Sequence, residues 1–253
     1  MSMLTDLLVT MREKGYPEQA PLLFKKLLAK EQICIEVGTN LAEESAFAIG
    51  ESKMGGIPHL PKGFAWPKDK DGYEPLSFVA QINLEEMTRE VGRHLLPLKG
   101  FLYFFYEDYG ECCVKYYAGS ANDLVAADFP EDIQEHYMFL PCKLTFWKAK
   151  SYPDPGSNLC EGLFDSDEIE AVYADVRWRH QGSLHQLFGY PEIYQSWDLK
   201  ELDPEQDALL FQVDEDDDAE MRWGDLARIS FLVKKTDLEN LDFENVRAAV
   251  DGS

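Results

Sequence analysis

Seven side chains have the type and setting to do chemistry: Lys53, His59, Trp66, Gln81, His185, Gln212 and Asp225. Lys53 and His59 belong to Ser52-Lys53-Met54-Gly55-Gly56-Ile57-Pro58-His59-Leu60-Pro61, which runs on to Gly63-Phe64-Ala65-Trp66-Pro67. Glycine opens φ values closed to other residues, and proline fixes φ and removes a donor. The stretch is therefore predicted to be neither a helix nor a central strand. Its large apolar residues, Ile57, Leu60, Phe64 and Trp66, predict a rigid loop pressed on the core. Such a loop is a plug over a sheet, or the wall of a ligand pocket with Lys53 and His59 as its polar groups. Gly55-Gly56 lacks the following helix and the spacing of a phosphate loop.

Gln81 and Gln212 sit at matching places in two similar segments. Pro75 to Asn83 is followed by Gly100 to Phe105, and Ala208 to Asp214 is followed by Gly224 to Val233. Each copy reads as strand, interruption, strand. Each first strand holds a Gln in an apolar run, then an aliphatic residue, then Asn or Asp. A buried amide left unpaired costs roughly 1–3 kcal/mol, so each Gln is expected to be bonded to loop backbone. The pattern predicts an internal duplication, with 52–118 and 185–245 as pseudo-repeats.

His185 opens His185-Gln186-Leu187-Phe188-Gly189-Tyr190-Pro191 and lies five residues after His180. That is not the i, i+4 spacing of a zinc helix. His185 is read as a hydrogen-bonded structural residue, with a pocket anchor as the alternative. His180, Arg177 and Arg179 are expected to stabilise a helix C-terminus. Asp214, Asp216, Asp218 and Asp225 match positions 1, 3, 5 and 12 of a calcium loop, but Ala219 stands where a glycine is needed. Position 12 also lacks a bidentate Glu, and the flanks read as strands. The sequence thus predicts no metal and no cofactor. A nucleophile elbow, a Walker loop and a dinucleotide fingerprint are all missing, which leaves catalysis open.

The elements that position these residues follow from periodicity. Leu4, Leu7, Leu8 and Met11, then Ala20, Leu23, Leu27 and Leu28, give two helical stripes around Gly15-Tyr16-Pro17, with Pro17 and Glu18 starting the second helix. This N-terminal helical hairpin over 1–31 is expected to pack on a sheet. Ile33, Ile35 and Val37 alternate into a strand ending at Gly38. Strands are predicted at 76–82, 101–106, 112–118, 138–149, 208–213 and 227–233. Capping boxes start helices at Asn83 with Glu86 (to about residue 95), Asp165 with Glu168, and Thr236 with Glu239. The tail is expected to end as a strand through Val246. No linker divides the chain, so 1–253 reads as one α+β domain: the hairpin on a mixed, largely antiparallel sheet.

Composition narrows the function. Asp and Glu number 47 against 24 Lys and Arg, a net charge of −23. Such a field repels phosphate backbones and anionic lipid, so neither nucleic acid nor membrane is an expected partner. Eleven acids between 201 and 225 face Arg222 alone, which makes that segment the expected surface for a basic protein partner. Five irregularly spaced cysteines (Cys34, Cys112, Cys113, Cys142, Cys160) and no signal-type apolar stretch predict free thiols in the cytoplasm.

The run Ser52 to Pro67, the strand to Asn83, His185 to Pro191, Leu209 to Asp214 and Trp223-Gly224-Asp225 to Leu232 together resemble the YwqG-like family, a bacterial domain of unknown function. The resemblance covers about 30 to 245. It implies an α+β fold, no established activity and no catalytic residues to carry over. Similar sequences often carry Gly where this chain has Ala227. Two readings follow: a non-enzymatic interaction protein with an acidic face for a basic partner, and a small-molecule-binding protein or enzyme with a pocket between the Gly/Pro loop and the duplicated sheet.

Overall fold

The computed structural model describes residues 1–107, 110–183 and 185–252. Its helices are α1 (Met3–Glu13), α2 (Ala20–Leu28), α3 (Leu84–Val91), α4 (Asp167–Arg179), α5 (Trp197–Lys200) and α6 (Lys235–Glu239). Its strands are β1 (Gln32–Leu41), β2 (Lys53–Met54), β3 (His59–Pro61), β4 (Ser77–Asn83), β5 (Phe101–Tyr106), β6 (Cys112–Tyr117), β7 (Leu124–Ala126), β8 (Cys142–Ser151), β9 (His185–Leu187), β10 (Asp207–Asp214), β11 (Arg228–Lys234) and β12 (Arg247–Asp251). Among the described residues no helix is long and apolar enough to cross a membrane.

Ten strands form one sheet in the order β12-β11-β10-β9-β1-β8-β2-β4-β5-β6, and β3 pairs with β7 beside it. Every pairing is antiparallel, so the expected mixture of directions is absent among the described residues. The sheet coils until its ends meet. Phe104 of β5 lies 4.9 Å from Phe211 of β10 and 5.1 Å from Phe231 of β11, although these strands are near opposite ends of the order. Ile35, Val37, Ile82, Leu102, Val213 and Ile229 fill the same inner core.

Both outer flanks are covered. Phe78, Phe101, Tyr103 and Phe105 pack under Leu60, Leu76 and Leu124, while Leu209 and Leu232 pack under Leu199 and Leu202. The helical hairpin rests on Ile169, Tyr173 and Val176 of α4 and on Tyr152, Cys160 and Leu163. Its apolar stripe thus meets a third helix and the 152–163 segment.

The segments around β4 and β10 share several register and backbone features. A register shift between Phe78 and Ala80 in β4 recurs between Leu209 and Phe211 in β10. After it, Gln81 pairs with Tyr103 and Gln212 with Ser230, and Asn83 with Phe101 and Asp214 with Arg228. On the other side Gln81 pairs with Lys53 and Gln212 with Gln186. Two successive left-handed residues follow each of those partners: Gly55 and Gly56 (φ 63° and 66°), and Phe188 and Gly189 (φ 62° and 74°). A proline follows in each segment, Pro58 and Pro191. The Lys53 ammonium donates to the Ile57 carbonyl and the Gln186 amide to the Tyr190 carbonyl, each four residues on.

Several boundaries differ from expectation. Lys53–Met54 is a strand inside the sheet, between β8 and β4, because it ends before the first left-handed glycine and contains no proline. The loop is buried from Ser52 to Leu60 apart from Ile57, but Lys62, Gly63 and Ala65 are exposed and Trp66 is half-buried. Strand β1 runs past Gly38 to Leu41 and buries Cys34 beside Ile35, since both faces are covered; Ile33 is 53% exposed. Helix α3 stops at Gly92 (φ 70°), short of residue 95, and the Glu86 carboxylate accepts from the Ser52 N–H instead of capping. The caps of α4 and α6 are Ser166 and Lys234, one and two residues from those expected. Helix α2 begins at Ala20, with proline in its first turn, and the last strand comes after Val246.

Candidate functional site

The seven predicted residues fall into two equivalent groups and one outlier. In the first group Gln81 accepts from the His59 N–H at 2.7 Å and donates to the Glu51 carbonyl at 2.8 Å. His59 is buried; its Nδ1 accepts from the Gly50 N–H and its carbonyl accepts from the Tyr103 hydroxyl. Burial, with the Lys53 charge behind it, pushes the His59 imidazole below its ordinary value. Lys53 is fully buried, ion-paired to Glu44 and 4.3 Å above the Phe47 ring. Burial lowers its ammonium pKa, and Glu44 opposes that shift. Trp66 donates to the Leu76 carbonyl at 2.8 Å and meets Phe105 edge-on at 5.4 Å.

The second group repeats the device. Gln212 accepts from the Glu192 N–H at 2.9 Å, as Gln81 does from His59. His185 Nδ1 accepts from the Asp214 N–H, as Ser52 Oγ accepts from the Asn83 N–H. The His185 proton therefore sits on Nε2, which donates to Asp216 at 3.1 Å. Thr39 and the Ala219 N–H donate to the same carboxylate at 2.6 and 2.8 Å. Burial pushes Asp216 up, but these hydrogen bonds outweigh it and hold the carboxyl well below the usual range. Asp214 is buried against Arg228 at 3.3 Å, so two of the four calcium-loop positions are already engaged. Asp225 is exposed in the turn before β11. Arg177 lies in the last turn of α4, as expected, and is also clamped between Asp154 and Glu192.

An open cleft lies elsewhere. It has a volume of about 490 Å³ and forms where β1 begins, β8 nears its end and β10 starts. Ile33, Ile35, Leu95, Phe188, Leu202 and Leu209 give it apolar walls. Arg93, His94, Lys148 and Lys235 bring positive or titratable groups to it, against Asp207. Asp207 is already paired with Lys234 at 2.8 Å. Lys148 donates to the Arg93 carbonyl at 2.9 Å, which fixes the rim, and the Arg93 guanidinium has no partner among the described residues.

His94 is the unusual group. The Thr88 hydroxyl donates to the Leu84 carbonyl at 2.6 Å, so it accepts from His94 Nε2 at 2.9 Å. Nδ1 is buried and makes no close hydrogen bond, and the Leu96 carbonyl faces the ring. Burial, then the Lys148 charge, holds the imidazole below its ordinary value and so neutral.

A family model described as a domain of unknown function, DUF1963, matches residues 52–251. The chain belongs to this family. No curated protein matches it. The DUF1963 segment starts at Ser52, where the first set of matched hydrogen bonds begins, and it leaves out α1, α2 and β1. Ile33 and Ile35 of the cleft therefore come from outside the DUF1963 segment, and its cationic residues from inside. Sequence reasoning missed Arg93, His94, Lys148, Phe188 and Lys235. Only the Phe188-Gly189-Tyr190 run carried a signal, as part of a distinctive motif; the others are scattered over separate elements.

Proposed function

We propose that this chain is a small-molecule-binding protein on a YwqG-like, internally duplicated fold, with its ligand in the cleft between β1, β10 and the Arg93–Leu95 turn. The matching register shifts, left-handed pairs and glutamine bonds of the two halves support the duplication. The observation that carries the binding reading is an open cleft of ligand size whose apolar walls meet the cationic side chains Arg93, Lys148 and Lys235. The filled surroundings of Lys53, His59, Gln81 and Gln212 support a scaffold role for the sequence-predicted groups. Titrating the full chain with neutral apolar probes such as indole should shift amide resonances of Ile33, Phe188 and Leu209. Shifts confined to other regions would sink the cleft reading.

A second reading keeps the acidic face. Asp217, Asp218, Glu220 and Asp225 are exposed around the turn between β10 and β11, with Arg222 pairing to Asp217. Such a cluster attracts a basic protein through a field that salt screens beyond about 8 Å at physiological strength. Oligolysine should bind at low salt, weaken as salt rises, and bind less to Asp217→Asn/Asp218→Asn. Binding indifferent to both changes would eliminate this surface.

A further inference from the structure

The cleft has a counterpart in the other half of the molecule, and the difference between them defines a ligand. In the cleft's half, Ala208 of β10 pairs with Val233 of β11. The register-equivalent pair is Ser77 of β4 with Tyr106 of β5, and it opens on a groove of about 320 Å³ lined by Phe139, Glu220, Arg222 and Trp223. Each site is closed by the segment that follows the opposite half's glutamine strand: 84–95 after β4 reaches the cleft, and 215–223 after β10 reaches the groove.

In the groove, the protein's own indole forms part of the wall. Trp223 stands edge-on to Tyr106 at 5.7 Å and 87°, and to Phe139 at 5.2 Å and 71°. Its Nε1 donates to the Asp214 carbonyl at 3.0 Å. At the cleft, the corresponding segment brings Arg93, His94 and Leu95 and no tryptophan. Leu95 is 67% exposed.

Resting on the cleft reading above, we propose that the cleft binds a planar aromatic carboxylate of about indole size. The ring lies against the apolar walls, where Trp223 lies in the counterpart, and the carboxylate meets Arg93, Lys148 and Lys235. Charge selects the anion. The lining cations outnumber the acids, and Asp207 is already neutralised, in a chain whose acids outnumber its bases two to one. Guanidinium and ammonium groups at an apolar site give carboxylates charge-assisted hydrogen bonds of roughly twice the neutral strength.

Calorimetric titration of the full chain tests this with indole-3-acetate, neutral indole, cationic tryptamine and non-planar cyclohexylacetate. Indole-3-acetate should bind about tenfold more tightly than indole, which corresponds to one charge-assisted contact, and tryptamine should bind least. Arg93→Gln/Lys148→Gln should remove the preference for the acid and leave indole binding in place. Leu95→Trp, at an exposed position, should place an indole over the cleft and abolish binding of every probe. Equal affinity for indole and indole-3-acetate would overturn the anion assignment while the cleft reading stands. Equal affinity for cyclohexylacetate and indole-3-acetate would overturn the planar ring. Absence of binding by all probes, or binding unchanged by Leu95→Trp, would overturn the cleft reading itself.

Discussion

Phe104→Ala is expected to lower the unfolding free energy by about 3–5 kcal/mol, the range for emptying a large buried aromatic site. Phe104 is fully buried, and its ring meets Phe211 and Phe231 at 4.9 and 5.1 Å. Phe231 is its register equivalent in the other half, since Phe104 pairs with Ala80 as Phe231 pairs with Phe211. The contact therefore joins the two ends of the coiled sheet. Neighbours held on well-formed strands have little freedom to collapse into the space, which places the cost at the upper part of the range. Phe231→Ala should cost a similar amount. The double variant should cost clearly less than the sum, because residues in contact are not additive. Urea unfolding of the three variants checks this. A loss under about 1 kcal/mol for Phe104→Ala, or strict additivity, would mean that the ends do not support each other.

Why the glutamines were legible and the coil was not has a physical cause. A Gln inside an apolar strand must be satisfied by backbone nearby, so its type alone predicts a bonded loop, and Gln81 and Gln212 each hold one. The Gly-Gly pair announced left-handed backbone in the first half. Its match in the second half, Phe188-Gly189, was hidden because Phe at φ 62° is a residue type that says nothing of that conformation. Strand β2 was unreadable for the opposite reason: two residues are too short for any period to show. The closure of the sheet depends on contacts between strands more than a hundred residues apart, which periodicity does not encode.

The candidate cleft was nearly illegible. Its walls are ordinary apolar residues, and its cations come from the turn after α3, the end of β8 and the start of α6. No spacing rule links Arg93 to Lys148 or Lys235. His94 carried no sequence signal, and only the fold shows it half-buried at the cleft beside Thr88. The acidic segment misled in part. Asp207, Asp214 and Asp216 turn inward to Lys234, Arg228 and His185, so a run of carboxylates that reads as one solvated face is divided between the interior and the surface.

The same inward use of charge gives the second large effect, at Arg177. Its guanidinium donates to Glu192 at 2.8 Å, to Asp154 at 3.3 Å and to the Tyr152 carbonyl at 3.2 Å. All three ionic side chains are nearly buried. The Glu192 N–H is the group held by Gln212, so Arg177 ties helix α4 to the loop that the second glutamine organises. Arg177→Met keeps the aliphatic length but leaves two buried carboxylates without a cation, and breaking a buried pair in this way costs about 3–5 kcal/mol. The loss should depend on pH. Burial already pushes the Asp154 carboxyl above its ordinary value, and Arg177 opposes that push. Without Arg177 the folded-state pKa rises further above the unfolded one, so the folded variant binds more protons and gains stability as pH falls through that raised value. The gap between wild type and Arg177→Met should therefore narrow from pH 7 to pH 5, while Glu192→Gln, which keeps a hydrogen-bond acceptor, should cost less at pH 7. Denaturant unfolding at both pH values decides it: a gap that is constant or widens on acidification would show that Arg177 stabilises through packing alone.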